Sequence, residues 1–257
     1  FVPTMGNLHA GHLSLVARAR EMADRVVVSI FVNPLQFGPG EDLETYPRTP
    51  REDAEKLRQA GVDLLFLPLE TEIYPRGREG VTFVEVPGIS DILCGASRPG
   101  HFRGVATVVA KFFNVVQPDV SCFGEKDYQQ LTVLRRMVAD LNIPVEVVGV
   151  ASAREVDGLA MSSRNGYLTA EERRIAPQLH LCLQGLADRI RSGEREWAQL
   201  EQQAAERFAG EGLRPDHVSI RRAADLGLPN GADTELVILA AAFLGKVRLI
   251  DNLLIYL

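Results

Sequence analysis

Residues 1–32 read FVPTMGNLHAGHLSLVARAREMADRVVVSIFV. An apolar run at 1–4 breaks into a turn flanked by glycines, a helical pattern follows at 11–23, and a second apolar, valine-rich run occupies 25–32. Strand, turn, helix and strand within so short a stretch predict a βαβ unit, whose two strands must lie parallel in one sheet. Neither run alternates polar with apolar residues, so the sheet they enter is covered on both faces. The pattern continues outward. Strand-like runs recur at 63–67, 120–123 and 145–150, and helical patterns at 50–60, 102–116 and 127–141, the first of these opening with Thr49 as a cap before Pro50. The fold class is therefore α/β, a Rossmann-like doubly wound parallel sheet. Ligands of such sheets collect beyond the carboxyl ends of the strands.

The pattern changes after residue 150. Helices are expected at 170–191 and 196–211, then strands at 217–221, 236–242 and 247–254, the last two joined by a hairpin turn through Leu244, Gly245 and Lys246. Helices followed by antiparallel strands describe a second, smaller α+β domain. The boundary is set near Ala151 to Ala153, giving domains 1–152 and 153–257.

Composition narrows the function classes. A chain of 257 residues with 46% hydrophobic and 24% charged side chains folds rather than remaining disordered. Its formal net charge of −6 argues against a general nucleic-acid binder, which needs a basic surface. The three cysteines, Cys94, Cys122 and Cys182, lack metal-ligand spacing and read as reduced thiols. The longest apolar run, 236–245, is too short for the roughly 20 residues of a membrane span, and no signal peptide is visible. A cytoplasmic location is expected. Because residue 1 is a phenylalanine inside a strand-like run, a preceding N-terminal segment is expected to be missing from this chain.

The turn at 3–12 carries the densest chemistry. Gly6 and Gly11 allow close backbone approach, the helix opening near Gly11 offers unpaired N–H groups and a positive dipole end, and His9 and His12 can donate to phosphate oxygens. No Cys or Asp stands nearby to complete a zinc site, so the pair is not read as metal ligands. A second junction, Gly124-Glu125-Lys126-Asp127-Tyr128-Gln129-Gln130, places a lysine where a strand ends. Lys126 either meets phosphate or is solvated, and Asp127 either caps the helix or holds a ribose hydroxyl. At the domain boundary, Met161-Ser162-Ser163-Arg164 offers two hydroxyls and a guanidinium, which either suit a triphosphate or, taken alone, form an ordinary turn with Asn165. Asn33 and Gln36, set among Phe31 and Phe37, offer neutral donors and acceptors for a small polyhydroxy acid, although turn chemistry alone also accounts for Asn33-Pro34. Arg98, His101 and Arg103 form either an anion site or a solvated basic loop.

Taken together, five blocks closely resemble the pantothenate synthetase family within the wider HxGH nucleotidyltransferases: PTMGNLHAGH at 3–12, IFVNPLQF at 30–37, RPGHFRGV at 98–105, GEKDYQQL at 124–131 and DGLAMSSRNGYL at 157–168. Beyond residue 168 only Arg248-Leu249-Ile250-Asp251-Asn252 looks specific. The resemblance implies ATP-dependent joining of pantoate to β-alanine through a pantoyl-adenylate, releasing pyrophosphate and then AMP, in a homodimer that uses Mg2+. It implies an ATP site lined by Met5, Gly6, Asn7, Leu8, His9, Ala10, Gly11 and His12, with His12 as proton donor beside the phosphates and His9 supporting it. Gly124, Glu125, Lys126 and Asp127 would hold ribose and phosphate. Met161, Ser162, Ser163 and Arg164 match the loop that closes on ATP, and Ala153 stands where the family usually has a valine touching adenine through its main chain. Gln36 and Gln130 match the pantoate-binding glutamines, with Asn33 bordering that pocket. Mg2+ would be held mostly by triphosphate oxygens and water, with Glu52 and Asp53 either touching it or forming a solvated helix face. Two rival readings are an adenylyltransferase with a phosphate-bearing acceptor and a catalytically silent nucleotide-binding protein. The first would favour cations where Gln36 and Gln130 stand; the second would not need the intact His9, His12 and Lys126.

Overall fold

The computed structural model describes all residues 1–257, which divide into two compact units. The first comprises Phe1–Glu125 and Gln129–Ala151; the second comprises Lys126–Tyr128 and Ser152–Leu257.

In the first unit, parallel strands β1 (Val2–Thr4), β2 (Val27–Ile30) and β3 (Leu64–Phe66) pair in that order, and β4 (Val120–Gly124) pairs in parallel with β5 (Glu146–Val150). Phe1 links the two sets, its carbonyl accepting the Cys122 N–H at 3.0 Å. The strand order thus reads β3-β2-β1-β4-β5, and it reverses between β1 and β4, the switch point where such sheets place ligands. Helices α1 (Ala10–Met22) and α2 (Pro50–Gln59) cover one face, where Val2, Val28 and Cys122 meet Leu15, Val16 and Leu57. Two short helices follow in sequence, α3 (Glu70–Ile73) and α4 (Cys94–Ser97). The other face carries the long helices α5 (His101–Val116) and α6 (Tyr128–Asp140), with Phe31, Phe112, Phe123, Leu134 and Met137 in its core. Apolar packing on both faces explains why the strands show no alternation.

The second unit holds α7 (Ala170–Ile175), α8 (Gln178–Arg191) and α9 (Trp197–Gly210) against an antiparallel meander of β6 (Arg214–Arg222), β7 (Glu235–Leu244) and β8 (Val247–Tyr256). Its core runs from Leu183, Leu186 and Ile190 through Phe208 to Ile220, Ile238 and Ile255. The turn between β7 and β8 is tighter than the sequence suggested, because Leu244 already pairs with Val247 and only Gly245 and Lys246 connect them.

Several other expectations are corrected. The helix expected over 170–191 is two, because Pro177 has no N–H for the ladder and starts α8 afresh. Thr49 does stand at the N-cap of α2 before Pro50, but its hydroxyl donates to Asp53 Oδ2 at 3.0 Å rather than accepting a backbone N–H. Strand β6 extends to Arg214, with a register shift that accommodates Pro215 in an edge strand. All three cysteines are free thiols, Cys122 and Cys182 buried and Cys94 half-buried. No helix is long and apolar enough to cross a membrane.

Candidate active site

The loop after β1 is fixed before any ligand is considered. Gly6 adopts φ +81° and Asn7 φ +51°, a left-handed pair that turns the chain sharply out of the sheet. A Cβ at Gly6 would lie 2.9 Å from the Ile30 side chain, so both the dihedral and the space demand glycine. Asp53 secures the turn from α2. Its Oδ2 accepts the Asn7 N–H at 2.8 Å and its Oδ1 accepts the Leu8 N–H at 2.7 Å, while Lys56 Nζ donates to the Leu8 carbonyl at 2.7 Å. Asp53 is fully buried, which overturns both earlier readings of it, as a metal contact and as a solvated side chain. Glu52 beside it is exposed. Leu8 itself is a core residue, with its side chain buried among Val2, Leu15 and Leu57.

His9 and His12 are then held in one tautomer. The Gly11 N–H donates to His9 Nδ1 at 3.1 Å, and the His9 N–H donates to His12 Nδ1 at 3.3 Å, closing a reciprocal cap on α1. A backbone N–H can only donate, so each Nδ1 is an acceptor and each ring proton sits on Nε2. The ring centroids are 4.1 Å apart. Two imidazole N–H donors thus accompany the positive end of a helix, an arrangement made for phosphate oxygens.

After β2 the chain makes a 3₁₀ turn over Pro34–Gln36. Asn33 begins it and is buried, its side chain fully engaged. Nδ2 donates to Gln36 Oε1 at 3.0 Å and to the Gly104 carbonyl at 3.1 Å, while Oδ1 accepts the Tyr74 hydroxyl at 2.6 Å and the Leu35 N–H at 3.3 Å. Burial pushes the Tyr74 phenol above its ordinary range, so it remains a donor at neutral pH. Gln36 Nε2 lies 3.2 Å from Met5 Sδ, so the turn at 33–36 and the loop at 3–12 meet. Asn33 orients Gln36 rather than presenting its own amide. Gln130, on α6, is half-buried. Its neighbour Gln129 is the buried one, tied to the Ile89 and Ile92 carbonyls at 2.8 and 2.7 Å and to the Cys94 N–H at 3.1 Å.

In the second unit, Lys126 and Asp127 lie on a 3₁₀ turn, Glu125–Asp127, that follows Gly124. The Lys126 carbonyl accepts Asn252 Nδ2 at 2.9 Å, and the Tyr128 hydroxyl donates to the Ala223 carbonyl at 3.0 Å. These bonds explain why the three residues group with the second unit rather than with the strand they follow. Ala153 and Met161 are joined by a hydrogen bond from the Met161 N–H to the Ala153 carbonyl at 2.9 Å. Ser162 caps the 3₁₀ turn Ser163–Tyr167, its Oγ accepting the Arg164 N–H at 3.3 Å. Met161, Ser162, Ser163 and Arg164 are all half-buried.

A model of the pantoate–β-alanine ligase family matches residues 1–254. The chain belongs to that family. A pantothenate synthetase of Thioalkalivibrio sulfidiphilus is 62% identical over 252 residues, covering 98% of this chain and 88% of the relative. Another from Shewanella amazonensis is 60% identical over 253 residues, covering 98% and 90%. The crystal structure of pantothenate synthetase from Thermus thermophilus superposes with a TM-score of 0.94 at 49% identity, covering 100% of this chain and 93% of that one. A pantoate–β-alanine ligase from Francisella tularensis, solved with β,γ-ATP and β-alanine, superposes with a TM-score of 0.82 at 36% identity, over 99% and 88%. The chain is an enzyme of this ligase family.

Within each unit, sequence reasoning did not foresee which buried acid supports the candidate segments. In the first unit it is Asp53, read there as a metal contact or a solvated acid. In the second it is Asp251, which is buried on β8 and holds Arg154 through two bonds of 2.8 Å and His180 Nδ1 at 3.2 Å. Arg154 also donates to the Gly158 carbonyl at 3.0 Å, so Asp251 supports the chain that leads into Met161. Burial works against ionisation of Asp251, yet His180 and Arg154 hold its carboxyl below the ordinary range. The one signal in sequence was the block at 248–252. Arg98 and His101 are not part of a solvated loop, since both turn inward onto the Gln36 carbonyl. Arg103 lies over the Phe83 ring, 4.5 Å from its centroid.

Proposed function

We propose that this ligase joins pantoate to β-alanine in two displacements on ATP. The pantoate carboxylate attacks the α-phosphorus, forming pantoyl-adenylate and releasing pyrophosphate; the β-alanine amine then attacks the acyl carbon, giving pantothenate and AMP. The observation that carries the reading is the tautomer of His9 and His12, whose Nε2–H donors stand with the N-terminus of α1. Charge that grows on phosphate oxygens in the first step is stabilised by donors already in place. His12 donates to the phosphates and His9 supports it. Lys126 adds a point charge, and Ser162, Ser163 and Arg164 add two hydroxyls and a guanidinium. Met5, Gly6, Asn7, Ala10 and Gly11 border the nucleotide, Leu8 contributes through the shape of its main chain, and Gly124, Glu125, Asp127 and Ala153 serve ribose and adenine. Gln36, steadied by Asn33, and Gln130 bind pantoate. No protein nucleophile is required. The complex of the Francisella relative with β,γ-ATP and β-alanine supports ATP and β-alanine as two of these substrates.

Mg2+ belongs to this reading as the companion of the triphosphate. No three His, Cys, Asp or Glu side chains gather to hold a metal ion, and Asp53 is committed to the loop, so the residues present do not form a protein cage for it. A homodimer in the cytoplasm completes the proposal on family resemblance; light scattering on the purified chain and cell fractionation test those two points.

The test of the reaction is ATP–pyrophosphate exchange with Mg2+ and pantoate but no β-alanine. Exchange that depends on pantoate is the expected result. Exchange that ignores pantoate, or label passing to a phosphate-bearing acceptor, would replace this reading with the adenylyltransferase one.

A further inference from the structure

The basic block at 98–103 has no place in the reaction above, yet its geometry is highly specified. Arg98 makes a fork with Glu41, Nε to Oε1 at 2.7 Å and a terminal nitrogen to Oε2 at 2.5 Å. The same guanidinium donates to the Gln36 carbonyl at 3.3 Å and, through its other terminal nitrogen, reaches His101 Nε2 at 3.0 Å. His101 Nδ1 lies 2.7 Å from that same Gln36 carbonyl. A guanidinium only donates and a carbonyl only accepts, so Nε2 is the acceptor and the ring proton is on Nδ1. The Arg98 and Glu41 side chains are only 19% and 24% exposed, well below a solvated surface pair. Burial opposes ionisation of Glu41, but the Arg98 fork and charge hold its carboxyl below the ordinary range. One turn along the same helix from His101, α5 lies directly against the turn: a Cβ at Gly104 would sit 2.1 Å from the Leu35 carbonyl oxygen.

We infer that Glu41, Arg98 and His101 are positioning residues that set the backbone of Gln36, and through it the amide offered to pantoate. The inference rests on the reading of Gln36 as a pantoate ligand. The side chain of Gln36 is aligned by Asn33, and its main chain is aligned independently by Arg98 and His101. Two anchors at opposite ends of one residue leave its amide a single orientation. Neither side chain binds the pantoate carboxylate itself. Arg98 is occupied by Glu41, and His101 gives its one proton to the carbonyl.

The experiment is steady-state kinetics on the full chain for Gln36→Ala, His101→Asn, His101→Phe, Glu41→Gln and the double variant Gln36→Ala with His101→Phe, each with its melting temperature. His101→Phe loses the donor and is expected to raise the pantoate KM about tenfold or more, the scale on which misplacement of a binding group acts, with the ATP KM unchanged. Asparagine presents an N–H near the Nδ1 position and is expected to restore most of that loss. Glu41→Gln decides between positioning and direct binding by its sign. Loosening the Arg98 fork raises the pantoate KM if Arg98 positions Gln36, whereas freeing its charge lowers the pantoate KM if Arg98 binds the carboxylate. In the Gln36→Ala background, His101→Phe is expected to add nothing further. A lowered pantoate KM in Glu41→Gln, an undiminished His101→Phe effect without Gln36, or equal rises in both KM values would each overturn the inference. If Gln36→Ala alone leaves the pantoate KM unchanged, the ligand assignment of Gln36 fails first and is identified as the cause.

Discussion

Asp53 on α2 accepts the backbone N–H of Leu8 at 2.7 Å, so the loop bearing His9 and His12 is fastened to a helix that lies more than 35 positions further along the chain. Three donors converge on this buried carboxylate, counting Asn7 N–H and the Thr49 hydroxyl. Asp53→Ala leaves two backbone N–H groups without acceptors and is predicted to destabilise the fold by about 2–4 kcal/mol. Asp53→Asn sets an amide N–H against one of them and is predicted to cost about half as much. Urea denaturation of both variants checks this, and wild-type midpoints would show that the loop holds itself.

The tautomer of His12 makes a finer prediction than loss of the residue. His12→Ala is expected to slow pantoate-dependent pyrophosphate exchange by roughly 10²-fold, the scale of one transition-state donor, and Lys126→Ala by a similar factor. His12→Gln places an N–H near the Nε2 position, whereas His12→Asn ends near Nδ1. The glutamine variant is therefore expected to exchange faster than the asparagine variant. The reverse order would assign the acting proton to Nδ1.

Asp251 joins Arg154, His180 and, through its neighbour Asn252, the backbone of Lys126. Removing the carboxylate leaves the Arg154 guanidinium half-buried without a counter-charge, so Asp251→Ala is predicted to cost about 3–5 kcal/mol. Asn252→Ala keeps that ion pair and is predicted to reduce exchange more than it reduces the melting temperature. Equal loss of both in Asn252→Ala would mean that the bond to Lys126 is only structural.

How much of this was legible in the sequence follows from the range of the forces involved. The parallel strands were readable because burial on both faces leaves unbroken apolar runs such as 25–32, and the turn at 3–12 because glycines and histidines stand together within ten residues. Asp53 was not readable. Its partners lie 45 and 46 residues away, and beside Glu52 it looks like any acid in the first turn of a helix. The setting of Arg98 and His101 was hidden for the same reason, because Glu41 pairs with Arg98 from 57 residues away. Pro177 was visible and still overridden, since the apolar spacing on either side continues as though one helix ran through it. Local chemistry is written in local sequence, whereas the supports of a site are supplied by whichever element the fold brings behind it.

His217 on β6 supplies a pH prediction. Burial, aided by the Arg248 charge, lowers its pKa from 6.5 to about 4, although the Asp216 carboxylate lies 3.5 Å from Nδ1. Asp216 cannot reverse the shift, because it is already bonded to Arg248 at 2.6 Å. The folded pKa is depressed, so the unfolded chain binds more protons than the folded one between pH 6.5 and about 4. The stabilisation from keeping His217 neutral is complete above pH 6.5 and is lost as pH falls through that window, by up to ~3 kcal/mol. His217→Gln, which cannot protonate, is predicted to flatten this part of the stability curve relative to the wild type. Denaturation midpoints at pH 7 and pH 4.5 make the comparison. An unchanged slope in the variant would mean that His217 is not the source of the acid sensitivity; the depressed carboxyls of Asp251 and Glu41 do not compete in this window, since their stabilisation is lost only as pH falls below the ordinary carboxylate range.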